Sequence, residues 1–167
     1  AHGLSYAALR YFNAAGADSQ ARIGESHSPE THALPLLIDT ALGRRKHFSI
    51  FGSDYPTADG TAIRDYIHVD DLAAAHVLAL EHLLAAEDSL VLNLGTGTGV
   101  SVRELIDAVE RVSGREVPVV DEARRPGDPP ALVADPARAR ETLNWRPAYS
   151  EIEAIITTAW KWHAERN

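Results

Sequence analysis

The segment that most restricts the fold is Leu90-Val91-Leu92-Asn93-Leu94, a nearly unbroken apolar run that stops at Gly95. Thr96-Gly97-Thr98-Gly99 follows it, and then Ser101 and Glu104 stand ahead of Leu105, Ile106, Val109 and Val112. A run that is apolar at consecutive positions suits a strand covered on both faces, as parallel strands are. Ser101 and Glu104, three apart before a helical apolar spacing, form a capping box, and Gly114 supplies the stop. Strand, glycine turn and amphipathic helix in that order define an α/β unit with parallel sheet.

The rest of the chain repeats this alternation. Residues 7–13 read as one buried strand entering a loop at Gly16, and 18–30 are polar and without period, hence loop. Leu34, Leu37, Ile38, Ala41 and Leu42 keep helical spacing, ended by Gly43-Arg44-Arg45. Phe48–Phe51 predicts a short strand, 52–60 a loop, and Ile67-His68-Val69 another extended piece. Asp70 and Asp71 sit where carboxylates favour a helix start, and Leu72, Ala75, Ala79, Leu80 and Leu83 carry that helix to about Ala86. Residues 117–120 read as a strand and Asp135-Pro136 as an N-cap with first turn. Ser150 with Glu153 makes a second capping box, opening a helix with Ile152, Ile155, Ile156, Ala159 and Trp160 inward. No internal repeat is present.

Composition narrows the function. With 45% hydrophobic and 24% charged residues the 167-residue chain is ordinary globular material, and no apolar run approaches the ~18 residues of a bilayer span. There is no cysteine, which removes disulfides, thiolate metal sites and a cysteine nucleophile together and suits a reducing compartment. The net charge of −8 is spread evenly, with six basic and ten acidic residues in 1–83 and ten and fourteen in 84–167. That leaves no basic face for nucleic acid. Fourteen of the sixteen basic residues are arginines, so an anionic ligand would be held by local guanidinium groups against the overall field. The chain opens Ala1-His2-Gly3 with no methionine anywhere, which reads as a piece of a longer protein.

Few residues offer catalytic chemistry. Gly95, Gly97 and Gly99 stand in the right context for a phosphate at a helix N-terminus. However, Val100 occupies the third-glycine position of the dinucleotide fingerprint, and although Asp121 follows near the next strand, tight-turn geometry is the favoured reading. Of the eight histidines, His68, His76 and His82 fall on different helix faces and no His-Glu-x-x-His occurs, so no metal site is expected. There is no nucleophile elbow. Tyr6 and Arg10 only echo the Tyr-x-x-x-Lys pair of short-chain dehydrogenases. What remains is Arg64-Asp65-Tyr66-Ile67-His68 and Arg124-Arg125-Pro126-Gly127-Asp128, where guanidinium groups suit a diphosphate and a carboxylate suits ribose hydroxyls.

The runs Arg10-Tyr11-Phe12-Asn13-Ala14-Ala15-Gly16, Leu42-Gly43-Arg44-Arg45, Ile50-Phe51-Gly52-Ser53-Asp54-Tyr55-Pro56-Thr57, Asp59-Gly60-Thr61, Arg64-Asp65-Tyr66-Ile67-His68, Asn93-Leu94-Gly95-Thr96-Gly97 and Leu143-Asn144-Trp145 closely resemble the UDP-glucose 4-epimerase branch of the extended short-chain dehydrogenases. The resemblance runs through all 167 residues. It implies the C-terminal, UDP-sugar-binding portion of an NAD-dependent epimerase, whose strands complete a Rossmann-type parallel sheet. It also implies that the NAD glycine turn and the catalytic Ser, Tyr and Lys lie upstream of residue 1, leaving no catalytic residue here and an inactive fragment.

By the same resemblance, Tyr11 and Phe12 border the nicotinamide and Asn13 meets the sugar. His32 reaches the nucleotide, while Ser49 and Phe51 form the uracil site. Arg64 and Arg125 clamp the diphosphate, Asp128 takes the ribose, and Leu132 stands where a size gatekeeper lies beside the hexose. The family reaction is interconversion of UDP-glucose and UDP-galactose by reversible hydride transfer between sugar C4 and bound NAD, in a cytoplasmic homodimer. The alternatives are epimerisation of a UDP-pentose or UDP-N-acetylhexosamine, and a UDP-sugar-binding module without turnover. Strands around 9–13 and 91–95, apolar on both faces, are expected to pair with the other half, leaving the 167 residues alone loosely folded.

Overall fold

Parallel pairing joins strands distant in sequence, and helices fill the crossovers between them, as a parallel arrangement requires. The computed structural model describes residues 3–85 and 88–165. The elements in order are β1 (Ala7–Arg10), β2 (Asn13–Ala15), α1 (Ala33–Ala41), β3 (Phe48–Phe51), β4 (Ile63–Arg64), β5 (Tyr66–His68), α2 (Val69–Leu84), β6 (Leu90–Asn93), β7 (Val100–Ser101), α3 (Val102–Ser113), β8 (Val119–Glu122), β9 (Ala131–Leu132), α4 (Ala137–Leu143) and α5 (Ile152–Glu165). Three parallel pairs form, β1 with β6, β2 with β5 and β3 with β8, while β4 lies between antiparallel β7 and parallel β9. This is the expected α/β class.

The single strand expected over 7–13 is two strands with different partners. Ala7 to Arg10 pair with Leu90 to Asn93, and the ladder ends where Leu94 N–H donates to Arg10 O at 2.7 Å. The chain then crosses at Tyr11-Phe12, and Asn13 to Ala15 pair with Tyr66 to His68. Strand β6 is covered on one face only. Leu90 and Leu92 are buried, whereas Val91 is 37% exposed on the other side with Tyr11 and Phe12 nearby in sequence to its partner strand, also open.

Two apolar cores hold the elements. One gathers α1, α3 and α5 over β3, with Leu37, Ile38, Ile50, Leu105, Val109 and Ile156 fully buried. The other packs α2 and α4 on β6 through Ala75, Leu92, Ala139 and Trp145. Trp145 keeps its indole satisfied by donating Nε1–H to Asp71 O at 3.0 Å, and the Asp71 carboxylate accepts from Ala148 N and Tyr149 N.

Helix ends follow local chemistry with departures at the starts of α4 and α5. Ser101 and Glu104 make the expected capping box, and Gly114 ends α3 at φ 65°. At α2 the cap is His68, whose Nδ1 accepts from Asp70 N at 3.1 Å, so the helix starts at Val69 with Asp70 and Asp71 in its first turn, where carboxylates were expected. It ends at Leu84, and Ala86 lies outside the described residues. Asp135 accepts from Ala137 N at 3.0 Å, but Pro136 holds the capping position of α4. The second capping box does not form, because Glu153 instead receives Arg111 Nε at 2.7 Å and Ser150 Oγ turns to Glu151. None of the described helices is long and apolar enough to cross a membrane.

Candidate functional site

The glycine turn at 95–99 is filled from within. Asp65, 1% exposed, accepts through Oδ1 from Thr96 N and Thr96 Oγ1, and through Oδ2 from Gly97 N and Ala134 N, at 2.8–3.2 Å. A Cβ at Gly95 would fall 2.5 Å from that carboxylate. The protein's own carboxylate therefore takes the place a phosphate would occupy, and the glycines serve the turn, as the favoured sequence reading has it.

The arginine stretches meet elsewhere. A cavity of about 350 Å³ is lined by Ser49 and Phe51 of β3, Arg64 of β4, Asn13 of β2, His32 at the start of α1, and Arg125 and Asp128 from the loop after β8. These positions are separated by up to 115 residues, yet β3 pairs with β8 and β4 with β9, so both arginine stretches reach one wall. The Arg125 guanidinium lies over the Phe51 ring, Cζ 3.8 Å from its centroid. Arg64 is 13% exposed, donates to Ile63 O at 2.7 Å and Pro129 O at 3.0 Å, and pairs with Asp128.

A larger cavity of about 660 Å³ adjoins this one through the shared residues Asn13, His32, Ala33 and Tyr66. Tyr11 and Phe12, 42% and 48% exposed, line it. Burial pushes the Tyr66 phenol up to about 12 against the opposing Arg64 charge, so it stays a protonated donor at neutral pH. Leu132 is the strand partner of Arg64 across β4 and β9 but lines neither cavity.

Arg45 also lines the smaller cavity and adds a third guanidinium to it. Sequence reasoning assigned Arg45 only to the end of α1, since nothing in local spacing shows that the turn after a helix faces a distant loop. Sequence reasoning also missed a loop cluster, Glu25, His27, Glu30 and His32, whose ligand-type atoms lie within 4.8 Å of one another. Spacings of two and five in an aperiodic loop carry no helical or motif signature.

His68, fully buried, is a structural group. It stacks on Tyr149 with centroids 3.8 Å apart, and its Nε2 lies 2.9 Å from Thr158 Oγ1. That hydroxyl also accepts from Ala17 N and donates to Ile155 O, so His68 is the donor to it. With Nδ1 accepting from Asp70 N, the imidazole is neutral. Burial lowers its pKa, outweighing the pull of Asp70 and Asp71. Gly16, at φ 90°, leaves room for the ring, since a Cβ there would come 2.5 Å from His68 Cδ2.

Comparison with known proteins bears on this arrangement. The model of the NAD dependent epimerase/dehydratase family matches residues 1–95. A UDP-glucose 4-epimerase of Rhizobium leguminosarum bv. trifolii is 60% identical over 159 residues, 95% of this chain and 48% of that protein. The crystal structure of UDP-glucose 4-epimerase from Brucella ovis in complex with NAD superposes with a TM-score of 0.92 at 55% identity, covering 96% of this chain and 50% of that one. The enzyme from Bifidobacterium longum in complex with NAD+ and UDP gives 0.91 at 36% identity, covering 97% and 48%. The chain spans about half the length of the curated relatives it matches.

Proposed function

Because the chain belongs to the NAD dependent epimerase/dehydratase family, we propose that it is the nucleotide-sugar-holding portion of a UDP-glucose 4-epimerase. The observation that carries this is the approach of Arg64 and Arg125, 61 positions apart, to one cavity beside the Phe51 ring. Two guanidinium groups suit the four or so acceptor oxygens of a diphosphate. Phe51 with Ser49 offers a flat apolar surface and a hydroxyl for a pyrimidine. Asp128, once its bond to Arg64 is shared with the diphosphate, offers an acceptor for ribose hydroxyls. The relatives' crystal structures with NAD and with UDP support the assignment of ligand class.

NAD fits the larger cavity at one end only. Tyr11 and Phe12 present exposed rings to it, suited to a flat heterocycle, and the glycine turn of this chain is closed to dinucleotide phosphates by Asp65. NAD would supply reversible hydride transfer at the sugar's C4. This chain's residues hold and orient. The arginines fix the diphosphate, Asn13 stands at the junction of the two cavities where the hexose would lie, and the protonated Tyr66 phenol borders both. Firm hold on the nucleotide with a looser hold on the hexose would allow the sugar to present either face without release.

Assay of the full-length protein carrying this chain tests the reading. UDP-galactose and UDP-glucose should interconvert in the presence of NAD, with UDP competing. Net oxidation or dehydration of the sugar, or preference for a UDP-pentose or UDP-N-acetylhexosamine, would replace it.

A further inference from the structure

We propose that Glu25, His27, Glu30 and His32 form a binding site for one divalent cation of the zinc class. The site lies in the loop ahead of α1; Glu25 and His32 also line the cavities described above, whereas His27 and Glu30 line neither. Zinc bound tetrahedrally by imidazole nitrogen and carboxylate oxygen at about 2.0–2.2 Å has ligand-to-ligand edges of about 3.4 Å. His32 Nδ1 stands 3.5 Å and His27 Nδ1 3.7 Å from the same oxygen, Glu30 Oε1. Glu25 Oε1 closes the set against His32 Nδ1. The four ligand-type atoms lie within 4.8 Å of one another, two of the separations are close to a tetrahedral edge, and Glu25 Oε1 would draw back from its direct hydrogen bond to His32 Nδ1 to admit the ion.

The two imidazole rings lie face to face, centroids 5.4 Å apart and planes 18° from parallel, and each turns its Nδ1 toward Glu30 Oε1. Glu30 is oriented by Thr31 N and His32 N, which donate to its Oε1 at 2.7 and 2.8 Å. Such outer bonds fix a ligand before the metal arrives. The loop itself is pinned to α5. Trp162 Nε1 donates to Glu25 O at 2.7 Å, Lys161 Nζ donates to Ser19 O at 3.2 Å, and Gly24 packs on the indole so closely that a Cβ would meet Trp162 Cγ at 2.5 Å.

Electrostatics favours the same occupant. Two carboxylates, their side chains only 15% and 27% exposed, face two histidines across a patch of a chain whose net charge is −8. With neutral imidazoles the group carries two negative charges, which a divalent cation cancels. Two nitrogen donors select zinc, nickel or copper over calcium and magnesium, which take oxygen ligands in higher number.

The test uses the full-length protein, freed of any histidine tag and treated with chelator. Zn²⁺ is titrated in competition with a chromophoric chelator, and Co²⁺ is followed by its visible absorption. One equivalent per chain is expected, with a tetrahedral Co²⁺ spectrum displaced by Zn²⁺. His27→Ala, an exposed position outside both cavities, should weaken Zn²⁺ at least tenfold and abolish the spectrum, and Glu30→Gln should weaken it as well. His82→Ala should change neither. Absence of stoichiometric binding, or binding that persists unchanged in His27→Ala, would overturn the site and leave surface binding only. Circular dichroism of each variant confirms that the fold is intact.

Discussion

Arg64 and Asp128 form an ion pair on the wall of the smaller cavity, so the cation best placed for a diphosphate and the anion best placed for a ribose neutralise each other. A ligand carrying both groups engages the two ends of the pair at once. In the full-length protein Arg64→Ala and Arg125→Ala should each weaken UDP by about 10- to 150-fold, the equivalent of about 1.5–3 kcal/mol for a charge-assisted hydrogen bond. Arg64→Ala should cost more, because it also strands Asp128. Calorimetric titration with UDP measures both, and unchanged affinity in both variants would remove the arginines from the site.

Asp65 predicts a large structural cost. Its carboxylate satisfies three backbone N–H groups and one hydroxyl where the 95–99 turn meets Ala134. Asp65→Ala would leave those donors buried at about 1–3 kcal/mol each, less whatever water recovers, so a loss of at least ~3 kcal/mol is expected in urea unfolding. Asp65→Asn keeps the shape but offers one acceptor oxygen instead of two, and should fall between. If Asp65→Ala unfolded at the wild-type urea concentration, the turn would not depend on it.

His68 predicts a pH dependence whose direction follows from its burial. The unfolded chain protonates this imidazole near 6.5, whereas the folded chain resists protonation until lower pH. Below about pH 6.5 the unfolded state therefore binds more protons, and stability falls as pH drops. His163, also lowered by burial, adds a contribution of the same sign. Thermal melts between pH 7.5 and 5 should show the decline, and His68→Gln should start lower but decline less steeply. An equal slope in the variant would show that His68 does not carry it. Asp54 is held low by the Arg124 guanidinium. Asp59 is lowered by bonds from Ser101 and Thr61 that outweigh its burial. Both act in more acidic solution and leave this window to the histidines.

Much of the frame was legible because it is written in local spacing. The strand Phe48–Phe51, the capping box at Ser101 and the left-handed stop at Gly114 each follow from a few adjacent residues. Where several local solutions compete, tertiary context chose. Residues 7–13 look like one strand because both halves are apolar, and only the partners, β6 and then β5, divide it. His68 caps α2, a role no local signal gives it, with its ring locked between Tyr149 and Thr158. Glu153 left its capping box for Arg111, a residue on another helix. Arg64, Arg125 and Asp128 stand out in the sequence as guanidinium and carboxylate stretches suited to a diphosphate and a ribose, whereas the roles expected of Asn13, His32, Ser49 and Phe51 come from resemblance alone. Arg125 over Phe51 and Arg45 in the same wall depend on long-range pairing that no window of sequence contains, while Glu25, His27, Glu30 and His32 lie within one short window but are drawn together by a loop without a periodic signature.

The open face of the β1–β6 pair leads to the last prediction. Val91, Tyr11 and Phe12 are 37–48% exposed, and Val77, Leu80 and Leu84 of α2 are 56–76% exposed. Leu80 also lines a shallow cleft with Leu9, Tyr11 and Leu83, so this apolar surface is continuous between strand and helix. Monomeric proteins seldom leave such a surface bare, and a pair of parallel strands covered on one face only has unpaired edges to offer other chains. The 167 residues alone should therefore bind a hydrophobic dye, associate as concentration rises, and melt over a broader range than a domain of this size. In the full-length protein the same dye should find no such surface and the transition should sharpen. Sedimentation and calorimetry of the two side by side decide it: a monodisperse 167-residue monomer with a sharp two-state transition would mean that this face is stable uncovered.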